Sequence, residues 1–247
     1  MNHILRLTFM ESKLFFREKQ AVFWTFLFPI LLIWLFGAMF GDQKIGQMSY
    51  SNAYIPSWIA INMLTTALFT IGTVLTEYRE QGILRRYQAT PIRPGKVLTA
   101  HIIYGTLIFL LSALLIVLFG SLAYNLDFPK YLGSTLIAIA LSIFAIFPFG
   151  IFATSLAKNS RTSAAISSVI LNLMLFLSGA TFPLEMMPEF LQGVAKILPL
   201  YYVVDLLRQT WNFAPITDQL TNVWILLGIG VVSTILATRF FNWGSRG

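Results

Sequence analysis

The sequence has no cysteine, only two histidines and few charged residues, and each shortage excludes a class of protein. The lack of cysteine excludes disulfides, thiolate metal sites and cysteine nucleophiles. The histidines, His3 and His101, are too few for an imidazole-rich metal site. Charged residues make up 11% of the 247 residues, whereas a soluble domain has about 25%. The composition therefore argues against a water-soluble globule.

Long apolar runs recur along the whole chain, which is 57% hydrophobic. A transmembrane helix needs about 20 apolar residues, and six stretches reach that length. Leu107–Leu111 and similar runs do not alternate in polarity, which favours helices over the strands of a membrane barrel. The sequence predicts an all-α polytopic membrane protein embedded in the lipid bilayer. Its six predicted spans are Ala21–Phe40, Ile55–Thr76, Val97–Phe119, Leu132–Ala157, Ala164–Phe182 and Leu220–Ala237.

The distribution of basic residues predicts the orientation of these spans. Thirteen of the 17 Lys and Arg residues fall at the termini and in the second-to-third and fourth-to-fifth loops. The positive-inside rule therefore places both termini in the cytoplasm. Because no basic domain exists, the net charge of +7 reports orientation and predicts no nucleic-acid partner.

The first 20 residues are predicted to form a helix along the cytoplasmic membrane interface. Arg6, Lys13 and Arg17 fall on one side of this helix at helical spacing. Apolar residues share another lane: Leu5, Phe9 and Phe16. Two interpretations remain open, a charged flank that only sets orientation and a helix that contacts a partner.

The cytoplasmic loop at residues 77–96 combines charge with apolar side chains. Gly82 allows a turn, residues 83–89 favour a short helix, and two prolines end it. That helix would carry an apolar knob ringed by two arginines: Ile83, Leu84 and Tyr87 with Arg85 and Arg86. Either the knob docks into a socket on a soluble partner, or the segment is a positively charged loop with incidental apolar residues.

The external segment at residues 183–215 is too apolar for a solvated loop. Pro188 favours a helix start, and that helix must stop before Pro199, which makes it too short to span. A second short helix is predicted at Tyr201–Trp211, with one apolar face: Val203, Leu206, Leu207 and Thr210. The pair would form a re-entrant hairpin in the outer leaflet. Asp205 and Arg208 are spaced to pair across one helical turn.

These two segments resemble the membrane permeases of type 2 ABC exporters, a family that includes daunorubicin-resistance and polysaccharide-export permeases. The cytoplasmic stretch is similar to the family's E-R-E-x-G-x-L segment: Glu77-x-Arg79-Glu80-x-Gly82-x-Leu84, with Thr90-Pro91 after it. Tyr78 departs from the arginine usual there. The external stretch resembles the family's signature before its last helix: Leu177 to Pro183, Glu185, Pro188, Pro199, Tyr201, Asp205 and Arg208.

The resemblance implies one transmembrane domain over residues 1–247 in a prokaryotic inner membrane. Two permeases, as a homodimer or heterodimer, pair with two cytoplasmic ABC ATPases, whose closure pushes on the coupling helix. ATP and Mg would bind only the ATPase, because these residues contain no G-x-x-x-x-G-K-[ST] loop. The implied coupling residues are Glu77, Arg79, Glu80, Gly82, Ile83, Leu84, Arg85, Arg86 and Tyr87. The implied external gate comprises Pro183, Glu185, Pro188, Pro199, Tyr201, Asp205 and Arg208.

Polar residues inside two spans are candidates for a substrate pathway: Asn62, Thr66, Thr70, Ser167, Ser168 and Asn172. The alternative for these residues is hydrogen bonding between helices. No charged residue lies mid-span, which argues against a proton- or sodium-driven carrier and suggests an amphipathic or hydrophobic substrate, such as a drug, lipid or lipid-linked glycan.

Two other functional classes compete with an exporter. An intramembrane serine enzyme could use only Ser178 with His101, and these fall at opposite ends of the predicted spans. A membrane scaffold that recruits a cytoplasmic partner is the second. The sequence predicts no catalytic residue, metal site or bound cofactor, and thus a transport subunit that is not itself an enzyme.

Overall fold

The computed structural model describes residues 3–41, 44–45, 48–88, 94–182, 184 and 187–241. The helices in these ranges are α1 (His3–Arg17), α2 (Lys19–Phe40), α3 (Tyr50–Glu80), α4 (Ile83–Gln88), α5 (Pro94–Tyr124), α6 (Leu132–Ser155), α7 (Ser160–Leu177), α8 (Glu189–Ala195), α9 (Pro199–Asn212) and α10 (Leu220–Phe240). A single 3₁₀ turn, Ile216–Asp218, precedes α10. Two short strands, β1 (Lys44–Ile45) and β2 (Met48–Ser49), pair antiparallel with Lys44 opposite Ser49.

Six of these helices are long and apolar enough to cross a membrane: α2, α3, α5, α6, α7 and α10. The prediction of an all-α polytopic membrane protein is therefore confirmed. Most boundaries differ from the apolar runs by a few residues, and two of them have a clear local cause. Helix α3 begins at Tyr50, because Ser49 caps it through a 3.4 Å bond from the Asn52 amide to its hydroxyl. Helix α7 ends at Leu177, because Gly179 adopts a positive φ of 78°.

Helix α3 is the central helix of the bundle. In its most apolar stretch 78% of residues are buried, against 17% for α7 and 28% for α2 and α10. A Cβ atom at Gly150 of α6 would lie 2.7 Å from the backbone of Ala67 in α3, so these helices touch backbone to backbone. The core of the bundle accordingly forms around α3 and α6.

Helix α3 is π-helical from Thr66 to Thr73, in its middle. The Thr73 hydroxyl donates to the Leu68 carbonyl at 3.0 Å, five residues back. π-Helical turns occur often at functional sites, since they widen a helix locally and redirect its side chains. The apolar pattern of this span does not reveal the change.

Helices α8 and α9 meet at an angle of 89°. Helix α8 is shorter than predicted, because a turn replaces its end before Pro199. The face predicted for the second helix is confirmed, since its four residues are buried: Val203, Leu206, Leu207 and Thr210. Pro183 and Glu185 of the proposed gate lie outside the described residues.

Candidate coupling site and transmembrane cleft

Helix α4 forms where the short cytoplasmic helix was predicted. Gly82 has a φ of 71°, which supplies the turn out of α3. Arg85 and Arg86 are exposed, but Leu84 is fully buried in the core of the bundle. Leu84 is therefore not part of an outward apolar knob, because α4 lies back against the other helices. The Tyr87 side chain and Thr90-Pro91 lie outside the described residues.

Arg79, just before α4, is anchored at the end of α6. Its side chain is 1% exposed. Its Nη1 donates to the Ser155 carbonyl at 3.2 Å and its Nη2 to the Ala157 carbonyl. The last carbonyls of a helix lack intrahelical partners and carry the negative end of the helix dipole. The guanidinium satisfies two carbonyls there and complements that dipole.

Glu80, the next residue, is bonded to the start of α7. Its Oε2 accepts from the Ser160 amide at 2.8 Å, at the positive end of that helix. The positive charge of Arg79 therefore lies at the negative end of α6, and the negative charge of Glu80 lies at the positive end of α7. This arrangement fixes the loop between the two spans to the segment that leads into α4.

Tyr78 connects the same segment to α1. Its hydroxyl donates to Glu11 Oε2 at 2.9 Å, and Glu11 Oε1 lies 3.6 Å from His101 Nε2 on α5. His101 Nδ1 lies 2.9 Å from the Val97 carbonyl, which can only accept, so Nδ1 is the donor of this hydrogen bond. The residue that departs from the family pattern thus joins three helices. We call this place, where α4, Glu11, Ser155 and Ser160 meet, the α4 end.

The face of α1 that packs on the bundle was not predicted. It consists of Leu7, Thr8, Glu11 and Phe15, and the Thr8 hydroxyl donates to the Ala100 carbonyl at 3.3 Å. The apolar lane named from the sequence is exposed: Leu5, Phe9 and Phe16. A hydropathy pattern does not predict that a lane containing Thr and Glu is buried, because the hydrogen-bond partners of these polar side chains come from other helices.

A cleft of about 620 Å³ opens between α2, α3, α5 and α7. Three of the predicted pathway residues line it: Asn62, Thr70 and Asn172. Thr66 is buried and bonds back to the Asn62 carbonyl at 2.9 Å, and Ser167 is also buried. Ser168 is exposed and bonds back to Ala164 at 2.9 Å. The structure therefore brings half of the predicted set to one cavity.

Some polar residues of these spans bond between helices instead. The hydroxyls of Thr73 and Ser163 lie 3.2 Å apart and join α3 to α7. Asn62 does both, since its Nδ2 donates to the Thr25 carbonyl at 3.1 Å while its side chain lines the cleft. Lining of the cleft and hydrogen bonding between helices thus both occur among the polar residues of these spans.

The opposite end of the bundle, which we call the α9 end, is closed by polar contacts. Arg208 Nε donates to the Ser57 hydroxyl at 2.7 Å and to the Ala53 carbonyl at 3.0 Å. Its Nη2 donates to Ala180 at 3.3 Å. Asp205 instead accepts from Asn222 at 2.7 Å. Asp205 and Arg208 therefore do not pair with each other across the helical turn. Each of them fixes α9 to a different helix, Asp205 to α10 and Arg208 to α3.

Three further residues of the α9 end were not anticipated from the sequence. Asn52 Nδ2 donates to Asp127 Oδ2 at 2.6 Å, and Trp211 Nε1 donates to the Asp127 carbonyl at 3.0 Å. Ser178 lies near this end, two residues before Ala180, whereas His101 lies beside Glu11 at the α4 end. Ser178 and His101 therefore do not form a catalytic pair.

Six apolar spans, one of them central, with a mostly apolar cleft and a loop bonded to the segment before α4, define a multi-pass membrane protein. The family model described as ABC-2 type transporter matches residues 2–211, and the chain belongs to this family. YvfS of Bacillus subtilis (strain 168) is 25% identical over 204 residues, which are 82% of each chain. Nodulation protein J of Rhizobium leguminosarum bv. trifolii is 28% identical over 85% of this chain and 81% of its own length. The inner membrane transport permease YhhJ of Escherichia coli (strain K12) is 25% identical over 65% of this chain and 45% of its own length. The chain is thus a transporter permease.

Proposed function

We propose that this chain is the membrane permease subunit of an ATP-driven exporter. It moves an amphipathic or hydrophobic substrate outward across the inner membrane of a prokaryote, with both termini in the cytoplasm. A separate ABC ATPase binds at the α4 end and supplies ATP hydrolysis, with Mg bound to that subunit. A second permease, identical or similar, completes the complex.

The observation that carries this proposal is the bonding of three consecutive residues next to α4. Tyr78 binds α1, Arg79 binds the end of α6, and Glu80 binds the start of α7. A displacement of α4 would therefore be transmitted directly to α1, α6 and α7 through short, directional hydrogen bonds, because no flexible loop separates α4 from these contacts. Such connections suit rigid-body rocking of helices between inward and outward openings.

The cleft supports an apolar pathway in this proposal. It is lined by aromatic and aliphatic side chains, with a few amides and hydroxyls at its wall. The π-helical part of α3 contributes Thr70 and Thr73 to that wall. We assign the bonded α9 end, with Tyr201, Pro188 and Pro199 on its short helices, as the external gate.

The test is reconstitution with a cytoplasmic ABC ATPase subunit. We expect the two chains to co-purify, and ATP hydrolysis and export to require both. The variant Arg85→Glu/Arg86→Glu reverses two exposed charges on α4. We expect it to insert and fold normally and to lose ATP-coupled export.

A matched control makes the same charge change elsewhere on the chain. Arg239 is exposed at the end of α10 and is predicted to lie on the cytoplasmic side. Arg239→Glu should keep export, because this residue lies outside α4, whereas its single-charge match on α4, Arg86→Glu, should lower it. Normal export by the α4 variant would refute the coupling assignment. Co-purification without any ATP-dependent transport would favour a scaffold.

A further inference from the structure

Two buried titratable side chains face each other at the α4 end, Glu11 from α1 and His101 from α5. Glu11 is 5% exposed and His101 is completely buried. Glu11 Oε1 lies 3.6 Å from His101 Nε2, which is too far for a hydrogen bond. Among the residues that the structure describes, Nε2 has no hydrogen-bond partner. A buried polar atom of this kind is costly, since such atoms normally have a partner.

The other hydrogen bonds of the pair show what this contact needs. His101 Nδ1 donates to the Val97 carbonyl at 2.9 Å, so Nε2 of the neutral imidazole can only accept. An ionised Glu11 is also only an acceptor, and its Oε2 already accepts from the Tyr78 hydroxyl at 2.9 Å. One added proton would turn the two facing acceptors into a hydrogen bond, with the two atoms about 2.8 Å apart. This bond forms whether the proton resides on Nε2 or on the carboxylate.

Other titratable side chains surround the pair. The ring of Tyr78 on α3 lies 5.7 Å from the imidazole of His101, and the ring of Tyr104 on α5 lies 6.5 Å from it. Glu18, at the corner between α1 and α2, lines the cleft together with Tyr104. Tyrosine hydroxyls normally keep their proton at neutral pH. Glu11, His101 and Glu18 are therefore the groups whose charge can change here.

Helix α1 has little polar attachment to α5 apart from this pair in the described part of the chain. The Thr8 hydroxyl donates to the Ala100 carbonyl at 3.3 Å, which is long for such a bond. The Phe15 ring packs edge-on against the Tyr104 ring, with centroids 6.2 Å apart. A hydrogen bond between the Glu11 and His101 side chains would therefore strengthen the contact between α1 and α5 substantially.

We propose that Glu11 and His101 form a proton-operated latch that fastens α1 to α5 when the pH falls. The docked α1 holds the proton between two side chains, whereas the undocked α1 leaves it on one of them. The docked state therefore binds the proton more tightly, so docking is favoured at acidic pH and weakened as the pH rises. Histidine is the side chain whose charge normally changes between about pH 5 and 8, which sets the range to examine.

The latch acts on the segment that leads into α4. Tyr78 donates to the same carboxylate and directly precedes Arg79 and Glu80, which bind α6 and α7. Because the α4 end is predicted to lie in the cytoplasm, cytoplasmic acidification would hold α1 more firmly against this segment. This regulatory consequence rests on the exporter function, whereas the docking itself does not.

The experiment measures how often α1 leaves the bundle, by maleimide labelling of the purified permease in uncharged detergent. The chain has no cysteine, so single reporters can be placed on α1. Thr8→Cys lies on the buried face and reacts when α1 opens, whereas Met10→Cys is exposed and reacts at all times. The ratio of the two labelling rates cancels the effect of pH on the thiol. We expect this ratio to be about tenfold lower at about pH 6 than at about pH 8.5, as for one gained hydrogen bond of a charged group.

Two substitutions and two controls are combined with each reporter. Glu11→Gln keeps the shape of the side chain, and its amide can donate to Nε2 while its carbonyl accepts from Tyr78 at every pH. Its ratio should stay low and lose the pH dependence. His101→Phe removes both ring nitrogens, so its ratio should be high at both pH values. Glu18→Gln and His3→Gln each remove another titratable group of α1 or its corner with α2, and both should keep the wild-type pH dependence.

The latch is refuted if the wild-type ratio does not change with pH, or if Glu11→Gln keeps the wild-type pH dependence. It is also refuted if Glu18→Gln or His3→Gln abolishes that dependence, since another group then carries it. Should His101→Phe fail to fold, Glu11→Gln alone decides the question. These measurements use no ATPase, so a negative result leaves the exporter function as it stands, and a failure of ATP-coupled export leaves the latch as it stands.

Discussion

Arg79 offers the sharpest test of the bonded loop at the α4 end. Replacing it by methionine keeps a long side chain in the buried space but removes both hydrogen bonds to the end of α6. The Ser155 and Ala157 carbonyls would then lack their guanidinium donor in a buried environment. The same change also removes a positive charge from the negative end of the helix dipole.

The size of the effect follows from these two bonds. A hydrogen bond from a charged donor contributes about 1.5–3 kcal/mol, and a buried carbonyl left without a donor costs about 1–3 kcal/mol. Because Arg79 is 1% exposed, solvent does not screen the contact. Since two carbonyls lose their donor, we expect Arg79→Met to lower the free energy of unfolding by about 4 kcal/mol.

The assay is unfolding of the purified permease in mixed micelles, followed by tryptophan fluorescence. Arg86→Met is the control, because it removes the same side chain from an exposed position seven residues later. Its effect on the free energy of unfolding should stay within about 0.5 kcal/mol. If Arg79→Met matches this control, the guanidinium contributes no stability and the bonded-loop argument fails.

Three further predictions follow from the packing and the topology. Gly150→Ala should destabilise the protein by about 2 kcal/mol, because its new Cβ would meet the backbone of α3 at 2.7 Å; Gly133→Ala on the same helix, with nothing within 4 Å, should not. Tyr78→Phe should lower the free energy of unfolding by about 1–2 kcal/mol, because it removes the hydrogen bond from the Tyr78 hydroxyl to Glu11 of α1. Limited proteolysis should then cut α1 faster than in the wild type, and an unchanged rate would contradict the contact. Since the chain has no cysteine, Gly95→Cys and Gly193→Cys make clean reporters at open positions. An impermeant maleimide should label Gly193→Cys on intact cells and Gly95→Cys only after permeabilisation; the reverse pattern would overturn the predicted orientation.

Patterns within a short stretch of sequence predicted much of the fold. Helix α4 follows Gly82 as expected, and the buried face of α9 is the one that helical spacing indicates. Leu84 is the instructive failure. Because two arginines follow it, the sequence predicts that Leu84 points outward as part of an apolar knob. Hydropathy measures only how apolar a side chain is, and it does not indicate which helices pack over that side chain.

The candidate site was harder to predict, because its parts lie far apart in the chain. Arg79 binds carbonyls 76 and 78 positions away, and Tyr78 binds Glu11 across 67 positions. The motif marked Arg79, but not Tyr78, as a coupling residue, and it gave no information on the partners of either. The sequence did not predict the contact between Asn52 and Asp127. An isolated polar residue near the end of a span does not indicate which residue it will contact.

The sequence alone determined that this chain crosses a membrane six times as helices, and it predicted which loops lie on the basic side. Both follow from transfer of local side chains between water and lipid, which depends on composition over about 20 residues. Only the tertiary structure decided which polar groups meet: the anchors of Arg79 and Arg208, the polar lane of α1, and the three predicted pathway residues that line one cleft. Hydrogen bonds and charge pairs depend on distances of about 3 Å, and those distances exist only once the helices have packed.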